Sequence, residues 1–251
     1  MAIFNTVPPL KAGSGIQFDG EVISTRAAPI NLSDNSYFPN AINQKSASVY
    51  TGAVYTIDRW RFWSDDCRLS LSDAGVSVDG STGLVQYVEK ERINMGQVHT
   101  LACKTADGSI SVVSGLFEHG ASNNVISFWI DNNNTIGVQL KPGHTYVWAA
   151  LYAGAYSAET LPLYQPKPKS AELFTCQRFY RNEDVLVGTK AHAASRVFVS
   201  FPRMRIKPTA TFKVIDGVNP MEVYIQSETV LDVTAELDSY SRILVSLDAN
   251  I

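Results

Sequence analysis

Most of the chain alternates between apolar and polar residues in steps of two, the period of a β-strand with one buried face. From residue 54 to residue 156 these runs are short and separated by turn formers. Asp107-Gly108 and the run from Asp131 to Asn134 indicate hairpins, because Asp, Asn and Gly tolerate the positive φ angles of tight turns. The predicted strands in this part are 54–63, 68–71, 75–78, 84–89, 98–104, 109–113, 125–130, 135–140 and 146–156. This spacing favours two packed antiparallel sheets.

One stretch, residues 170–180, instead places its apolar residues three to four positions apart and predicts a helix. Leu173, Cys176 and Tyr180 would share a face, Ser170 can cap the start, and Glu172 sits where the helix dipole favours a carboxylate. The Pro-Lys-Pro-Lys run before it is a stiff lead-in. After the helix, strands are predicted at 194–201, 209–216, 221–227, 230–237 and 242–247.

The chain therefore divides into three predicted parts. Residues 1–50 contain Gly and Pro among short apolar pieces, which predicts an extended attachment arm ordered by a partner chain. Residues 51–169 form the sandwich, and residues 170–251 form the helix and a small C-terminal β module. The predicted fold is all-β: an antiparallel β-sandwich of jelly-roll type with one short helix and that module.

Composition excludes several function classes. With 45% apolar and 18% charged residues the chain is an ordinary globular protein, and a net charge of -3 gives no attraction to nucleic acid. Its three cysteines are odd in number and far apart, which argues against a disulfide framework or a zinc ribbon. The N-terminus does not resemble a signal peptide and no apolar stretch suits membrane insertion, so we expect synthesis in a cytoplasm.

Candidate catalytic and metal-binding residues are sparse, and we expect a protein that is not an enzyme and uses no cofactor or metal. No nucleophile elbow, phosphate-binding loop or zinc-protease motif is present. The four histidines, His99, His119, His144 and His192, are isolated in sequence. Glu89 and Glu91 face one side of a predicted strand and keep open a glycosidase that uses two carboxyls. Two Asp-rich runs, at 65–66 and 131–134, could hold calcium but also suit turns.

Glycan binding needs an exposed aromatic face near amide and carboxylate groups, since a sugar ring offers C–H groups to the ring face and hydroxyls to polar side chains. Trp60, Trp129 and Trp148 lie inside predicted strands and are expected in the core. Trp63 and Tyr156 are expected to be exposed, and Tyr152 precedes Tyr156 at a strand end. The candidate glycan-binding residues are Trp63, Asp65, Asp66, Asp131, Asn132 and Tyr156.

A third candidate surface is an oligomer interface. The predicted helix presents Leu173, Phe174 and Tyr180, whose apolar area would be costly in water at about 25 cal/mol per Å². Packing of copies around an axis would bury these side chains together with the arm. We therefore expect a homo-oligomer.

Several motifs in a fixed order resemble a group of bacteriophage tail and tail-fibre proteins. In that group a carbohydrate-binding-like jelly roll is followed by an aromatic helix of the type Glu-Leu-x-x-Cys-Gln-Arg-Tyr-Tyr and a short β module. The resemblance covers roughly residues 50–215, although the strand after Gly96 to Leu101 reads Thr-Leu-Ala-Cys-Lys and departs from the group's pattern. The matching segments are 55–62, 87–89, 96–101, 172–180 and 201–209.

The resemblance implies a virion protein, commonly a homotrimer, that contacts other virion proteins through its N-terminal arm and host cell-surface glycan elsewhere. Two alternatives stay open. One is a capsule polysaccharide-degrading enzyme of the tailspike kind, and the other is a purely structural head or tail decoration protein.

Overall fold

The computed structural model describes residues 16–19, 22–25, 29–188, 195–217, 220, 222–235 and 240–249. Two antiparallel sheets pack face to face, and a smaller module of two three-stranded sheets follows them. The protein is an all-β antiparallel sandwich with one helix, which confirms the predicted fold class. The strands β1 (Ile16–Asp19) and β2 (Val22–Thr25) pair with each other at the start of the described chain.

The first sheet of the sandwich has five strands, and neighbouring strands in it run antiparallel. Their order across the sheet is β10, β11, β12, β7 and β4. The members are β4 (Trp60–Arg61), β7 (Leu84–Val88), β10 (Ala121–Ser122), β11 (Ile126–Ile130) and β12 (Ile136–Leu140). The predicted strand 54–63 is therefore too long, because a turn at 57–59 interrupts it and only Trp60–Arg61 joins the sheet.

The second sheet has six strands in the order β3, β5, β6, β13, β8 and β9. Its members are β3 (Val49–Thr51), β5 (Arg68–Ser72), β6 (Gly75–Asp79), β8 (His99–Thr105), β9 (Ile110–Gly115) and β13 (His144–Ala153). Gly108 has φ 91° in the β8–β9 hairpin and Asn134 has φ 58° in the β11–β12 hairpin. The two predicted hairpins are confirmed, with the expected residue types at the left-handed positions.

The main core lies between the two sheets, where alternate residues of each strand point inward. Trp60 and Phe62 flank Arg61 and are fully buried, as their alternation predicts. Phe128 and Val138 face each other on neighbouring strands of the first sheet, and Leu101 comes from the second. Burying one such side chain contributes about 1.5–3 kcal/mol, so this layer supplies most of the stabilisation.

Residues 29–50 belong to the sandwich, and the prediction that they form part of an arm is wrong. Phe38 is 1% exposed and packs edge-on against Trp60, with ring centroids 5.5 Å apart. The backbone N–H of Leu32 donates to the carbonyl of Leu151, so this segment continues the edge of strand β13. A network of buried polar groups at 31–36, described below, holds the segment in place. The side chains of residues 1–28, the rest of the expected arm, lie outside what the structure describes.

The outer face of the six-stranded sheet is covered by the chain that follows it. Trp148 points away from the main core and stacks on Tyr164, with centroids 4.7 Å apart and planes 3° apart. Leu161 and Tyr156 pack in the same satellite cluster. Trp148 is therefore buried as predicted, but under the 156–164 segment and not between the sheets.

The helix α1 (Lys169–Cys176) is shorter than the predicted 170–180. Pro168 occupies the N-cap and no side chain caps the start, so the expected cap by Ser170 is wrong. Glu172 lies in the first turn as expected. The chain turns after Cys176 and starts strand β14 at Tyr180, so Tyr180 shares no helix face with Leu173 and Cys176.

The C-terminal module contains six strands with a core of their own. One sheet has the order β14, β19, β16 and the other has the order β15, β18, β17. The strands are β14 (Tyr180–Gly188), β15 (Ser195–Ser200), β16 (Thr209–Gly217), β17 (Glu222–Ser227), β18 (Val230–Ala235) and β19 (Tyr240–Asp248). Among the described residues there is no helix with the length and hydrophobicity that crossing a membrane requires.

Candidate functional site

Three aromatic side chains meet on the outer face of the five-stranded sheet, and we call Trp63, Tyr87 and Trp129 the aromatic platform. Tyr87 lies on β7 between the inward-facing Gln86 and Val88, so it points outward. Trp129 points outward from β11, because its neighbour Phe128 faces the core. Trp63 follows β4 and is 41% exposed. The prediction that Trp129 lies in the core is therefore wrong, since its phase in the strand is that of the outer face.

The platform is held together by ring packing and one hydrogen bond. The rings of Trp63 and Trp129 meet edge to face with centroids 5.2 Å apart, and those of Trp63 and Tyr87 are 6.3 Å apart. The indole N–H of Trp63 donates to the Tyr87 hydroxyl at 2.9 Å. These contacts fix the ring orientations before any ligand arrives, which lowers the entropy lost on binding.

Gly137 makes room for the platform. It pairs with both Tyr87 and Trp129 across the sheet, so it lies between them. A β-carbon at this position would lie 2.4 Å from Cζ2 of Trp129, because the indole rests directly over the glycine. Only glycine permits this flat placement of the tryptophan.

A polar row runs beside the platform on the same sheet face. Ser127 pairs with Gln139 across β11 and β12, and Arg61 lies on β4 beyond the buried, apolar Val85 of β7. The Ser127 hydroxyl donates to the Gln139 side-chain oxygen at 2.9 Å. Amide, hydroxyl and guanidinium groups thus lie next to aromatic rings, the combination that recognises sugars.

Asp65 and Asp66 follow Trp63 directly, and their carboxylates are used to hold the loop. Asp65 Oδ1 accepts from the backbone N–H of Ala53 at 3.2 Å. Asp66 accepts from the backbone N–H and the hydroxyl of Ser81, at 2.9 and 2.8 Å, and from the Ser64 hydroxyl at 2.5 Å. The hydrogen bonds from Ser64 and Ser81 lower the pKa of Asp66. These contacts orient the loop that carries Trp63.

Asp131 and Asn132 lie in the hairpin that follows Trp129 on β11. Asp131 Oδ1 accepts from the backbone N–H groups of Asn133 and Thr135, each at 2.8 Å, so this carboxylate closes the turn. Asn132 is exposed, and within the described chain its side-chain amide makes no hydrogen bond. Of the two, Asn132 is the side chain that offers free hydrogen-bonding groups.

Tyr156 lies apart from the other candidate residues, at the six-stranded sheet. Its backbone N–H donates to Thr100 Oγ1 at 3.0 Å, and its ring meets Tyr152 edge-on with centroids 6.1 Å apart. Tyr156 is half-buried and Tyr152 is buried in the satellite cluster. Of the candidate residues, Trp63 is part of the platform. Asp65 and Asp66 lie in the loop that follows Trp63, and Asp131 and Asn132 lie in the hairpin that follows Trp129, whereas Tyr156 packs at the other sheet.

A cleft of about 470 Å³ opens where the sandwich meets the C-terminal module. Strand β7 ends at Val88, and a 3₁₀ turn, Lys90–Arg92, follows it, so Glu89 and Glu91 leave the strand on which they were predicted. Arg178 donates to both oxygens of Glu89, at 3.2 and 3.0 Å. The cleft is lined by Glu89, Glu91, Arg92, Arg178, Arg205 and Ile206.

One wall of the cleft is fixed by the buried carboxylate of Asp34. Arg92 donates to both of its oxygens at 2.9 Å, Lys167 lies 3.2 Å away and Arg59 lies 3.4 Å away. Burial raises the pKa of Asp34, but the three cations outweigh that effect and the pKa lies below its usual value. Gln86 accepts from the backbone N–H of Asp34 and donates to its carbonyl.

The predicted oligomer interface is only partly exposed. Phe174 is 59% exposed on helix α1, whereas Leu173 is half-buried. The Lys45 ammonium lies 5.1 Å from the ring centre of Tyr180, whose hydroxyl donates to Asn182 Oδ1 at 3.2 Å. Phe174 is the member of the set that presents apolar surface to solvent.

Histidine and cysteine side chains do not gather into a metal site among the residues that the structure describes. His99 is fully buried against Phe117, and burial lowers its pKa. Burial raises the pKa of Cys103 to about 12, and all three cysteines are buried and unpaired. His119 and His144 lie near turns, and His192 falls outside the described residues.

Comparison of the chain with models of known protein families, with characterised proteins and with solved structures finds no match. Sequence reasoning missed Tyr87, Gly137 and Arg205. The outward phase of Trp129 was readable from Ser127, a polar residue in the same phase between apolar Ile126 and Phe128. No comparable signal marked Arg205, because its position depends on how the module meets the sandwich.

Proposed function

We propose that the protein is a non-enzymatic glycan-binding component of a bacteriophage particle, of the tail or tail-fibre type, that attaches to saccharides of the host surface. The observation that carries glycan binding is the preformed aromatic platform beside a row of amide, hydroxyl and guanidinium groups. The assignment to a phage particle is supported by the ordered sequence motifs alone.

The platform offers the interactions that a pyranose ring needs. Trp63 is 41% exposed and can contact the C–H groups of one sugar face. Gln139 lies two residues from Gly137 on the same sheet face, and Asn132 is exposed in the hairpin that follows Trp129, so each can offer an amide group to sugar hydroxyls. Because Gly137 and Tyr87 already hold the rings in place, binding requires little rearrangement.

The test is binding of the whole chain to an array of bacterial surface polysaccharides. Trp63→Ala removes one platform ring, and we expect binding about tenfold weaker or more, which corresponds to roughly 1.4 kcal/mol. Tyr224→Ala is the control, because Tyr224 is 49% exposed on the C-terminal module, away from the platform. Glycan binding at the platform is contradicted if the array captures no wild-type protein, or if Trp63→Ala binds as well as wild type.

One observation favours a second candidate, a capsule-degrading enzyme. Glu89 and Glu91 both line the cleft, where a glycosidase would need two carboxyl groups. Against this candidate, both oxygens of Glu89 accept hydrogen bonds from Arg178, so the carboxylate is already occupied by an ion pair. Release of reducing ends from capsule or lipopolysaccharide would support the enzyme, and retention on the glycan without release would support the binding protein. The absence of both release and retention would support a purely structural decoration protein.

Assembly forms part of the same proposal. We infer a homotrimer that uses Phe174, together with Leu173 and Tyr180, at or near contacts between copies. The chain before residue 29 is our candidate for contact with other virion proteins, since residues 29–50 are committed to the sandwich. The place of action is the virion.

A further inference from the structure

The end of strand β7 leads from the aromatic platform directly into the cleft. Tyr87 belongs to the platform and Glu89, two residues later, lines the cleft. Glu89 has extended backbone angles, φ -64° and ψ 125°. Two residues of extended chain span about 7 Å, so one short saccharide can reach both places.

The charges that line the cleft are not all paired. Glu89 is paired with Arg178, and Arg92 is paired with Asp34. Arg205 packs its guanidinium 5.8 Å from the ring centre of Phe179, and it has no ion pair with any residue that the structure describes. Glu91 is exposed and likewise makes no ion pair or hydrogen bond within the described chain. One cationic donor group and one anionic acceptor group therefore line the same 470 Å³ space, and neither has an ion-pair partner among the described residues.

We propose that the cleft binds a carboxylate-bearing sugar residue of the glycan whose neighbouring ring rests on the aromatic platform. This inference rests on the proposed glycan-binding function and adds the ligand class, an acidic saccharide. Arg205 supplies the planar pair of N–H donors that matches a carboxylate. Glu91 accepts hydrogen bonds from ring hydroxyls.

The rest of the lining favours a sugar acid over other anions. Ile206 is 45% exposed and gives the ring an apolar surface beside the charged groups. Glu89 and Glu91 both carry negative charge, so a phosphate dianion would meet stronger repulsion than a singly charged carboxylate. The cleft volume falls within the range of about 300–1,000 Å³ that is usual for small-ligand sites.

Arg178 has a positioning role in this arrangement. The backbone N–H of Arg205 donates to the carbonyl of Arg178 at 2.8 Å, so the two arginines are held side by side. Arg178 in turn is fixed on Glu89 by two hydrogen bonds. Glu89 of the sandwich therefore helps to position Arg205 of the module, because Arg178 contacts both residues.

The experiment measures affinity of the whole chain for oligomers of galacturonic, glucuronic and sialic acid, each beside its own methyl ester. Esterification removes the charge and leaves the ring unchanged. We expect at least one acid to bind about tenfold more tightly than its ester. Arg205→Gln should reduce that ratio to about two or less, while Arg205→Lys should retain part of it. Arg68→Gln, an exposed arginine on β5, is the matched control and should leave the ratio unchanged.

Equal binding of every acid and its ester, or an undiminished ratio in Arg205→Gln, would overturn the inference. The platform is tested separately by Trp63→Ala, which should weaken acid and ester equally and preserve their ratio. If Trp63→Ala has no effect but Arg205→Gln abolishes acid selectivity, the cleft stands and the platform fails. If no oligomer and no polysaccharide of the array binds, both proposals fail.

Discussion

At the scale of single residues, the carboxyl of Asp58 is unusual because it is buried without a cation in contact. Gln44 Nε2 donates to Asp58 Oδ2 at 2.9 Å, and Oδ1 has no hydrogen-bond partner among the described atoms. Burial raises the pKa of Asp58 to about 6, although the hydrogen bonds from Gln44 act in the opposite direction. The folded protein therefore favours the protonated carboxyl more than the unfolded chain does.

Because the folded-state pKa is raised, the stabilising effect of the proton is fully present below about pH 4 and is lost as pH rises through about 6. A shift of about two pKa units corresponds to about 3 kcal/mol at most. Asp58→Asn removes this titration. We expect the free energy of unfolding of wild type to fall relative to that of the variant between pH 4 and pH 7, as measured by urea denaturation. Parallel pH profiles for the two proteins would contradict the assignment.

Residue-scale features were only partly predictable from sequence. The candidates Trp63, Asp65, Asp66, Asp131 and Asn132 came from an aromatic residue followed by turn formers, and the structure places Trp63 in the platform and the polar residues in the loops that follow Trp63 and Trp129. The missing member, Gly137, carries no chemical signal of its own. Its importance comes from strand register, which brings it beneath the Trp129 indole, and register is a long-range property.

At the scale of elements, the segment 31–36 shows why the N-terminal boundary was misjudged. Its buried residues include Asn31, Ser33, Asp34, Asn35 and Ser36, which have no apolar period. Their partners are remote in sequence: Asp34 contacts Gln86, Arg92 and Lys167, and the backbone N–H of Asn35 donates to Glu172. The pattern of apolar residues does not reveal that a segment is ordered when polar groups from elsewhere in the chain hold it in place.

The Asp34 network gives a prediction at this scale. Asp34→Ala would leave Arg59 buried without its carboxylate, and it would also remove the partner of Arg92 and Lys167. Breaking a buried ion pair from one side costs about 3–5 kcal/mol, so we expect a loss of that size in the free energy of unfolding.

The matched control for Asp34 is Asp184→Ala, which removes one partner of a surface ion pair with Arg242. The side chains of that pair are 52% and 53% exposed, so solvent screens the interaction and the loss of stability should be far smaller than that of Asp34→Ala. Chemical denaturation of both variants under the same conditions compares the two losses. Similar small losses would show that residues 31–36 are not held as the structure indicates.

At the scale of the whole molecule, the sandwich and the C-terminal module have separate cores but share a bonded boundary. Gln44 Nε2 donates to the carbonyl of Tyr180 at 2.6 Å, and Asn182 Nδ2 donates to the carbonyl of Gln44 at 3.1 Å. The backbone N–H of Ala249 donates to the carbonyl of Phe179 at 2.7 Å. The strands of both parts follow from local alternation, whereas this boundary depends on pairs far apart in sequence and was not predictable.

Exposed apolar side chains remain after the two parts have met, and they bear on assembly. Phe174 is 59% exposed on the helix that precedes the module, and its ring belongs to neither the core of the sandwich nor the core of the module. If copies associate around an axis through this helix, burial of the ring contributes to association at about 25 cal/mol per Å². Phe174→Ser should then shift the protein toward the 27.5 kDa monomer without a comparable loss of folding stability.

The measurement is light scattering coupled to size exclusion over a range of protein concentrations. We expect wild type at three times the monomer mass and Phe174→Ser at a lower average mass when both are dilute. Phe198→Ser is the control, because Phe198 is 55% exposed on β15 of the module and not on the helix. A wild-type chain that stays monomeric at every concentration would contradict the trimer, and an equal effect of both variants would place the contact elsewhere. Three platforms on one particle would raise attachment to a surface through multivalency. Dissociation by Phe174→Ser should therefore weaken binding to an array more than binding to a soluble oligosaccharide.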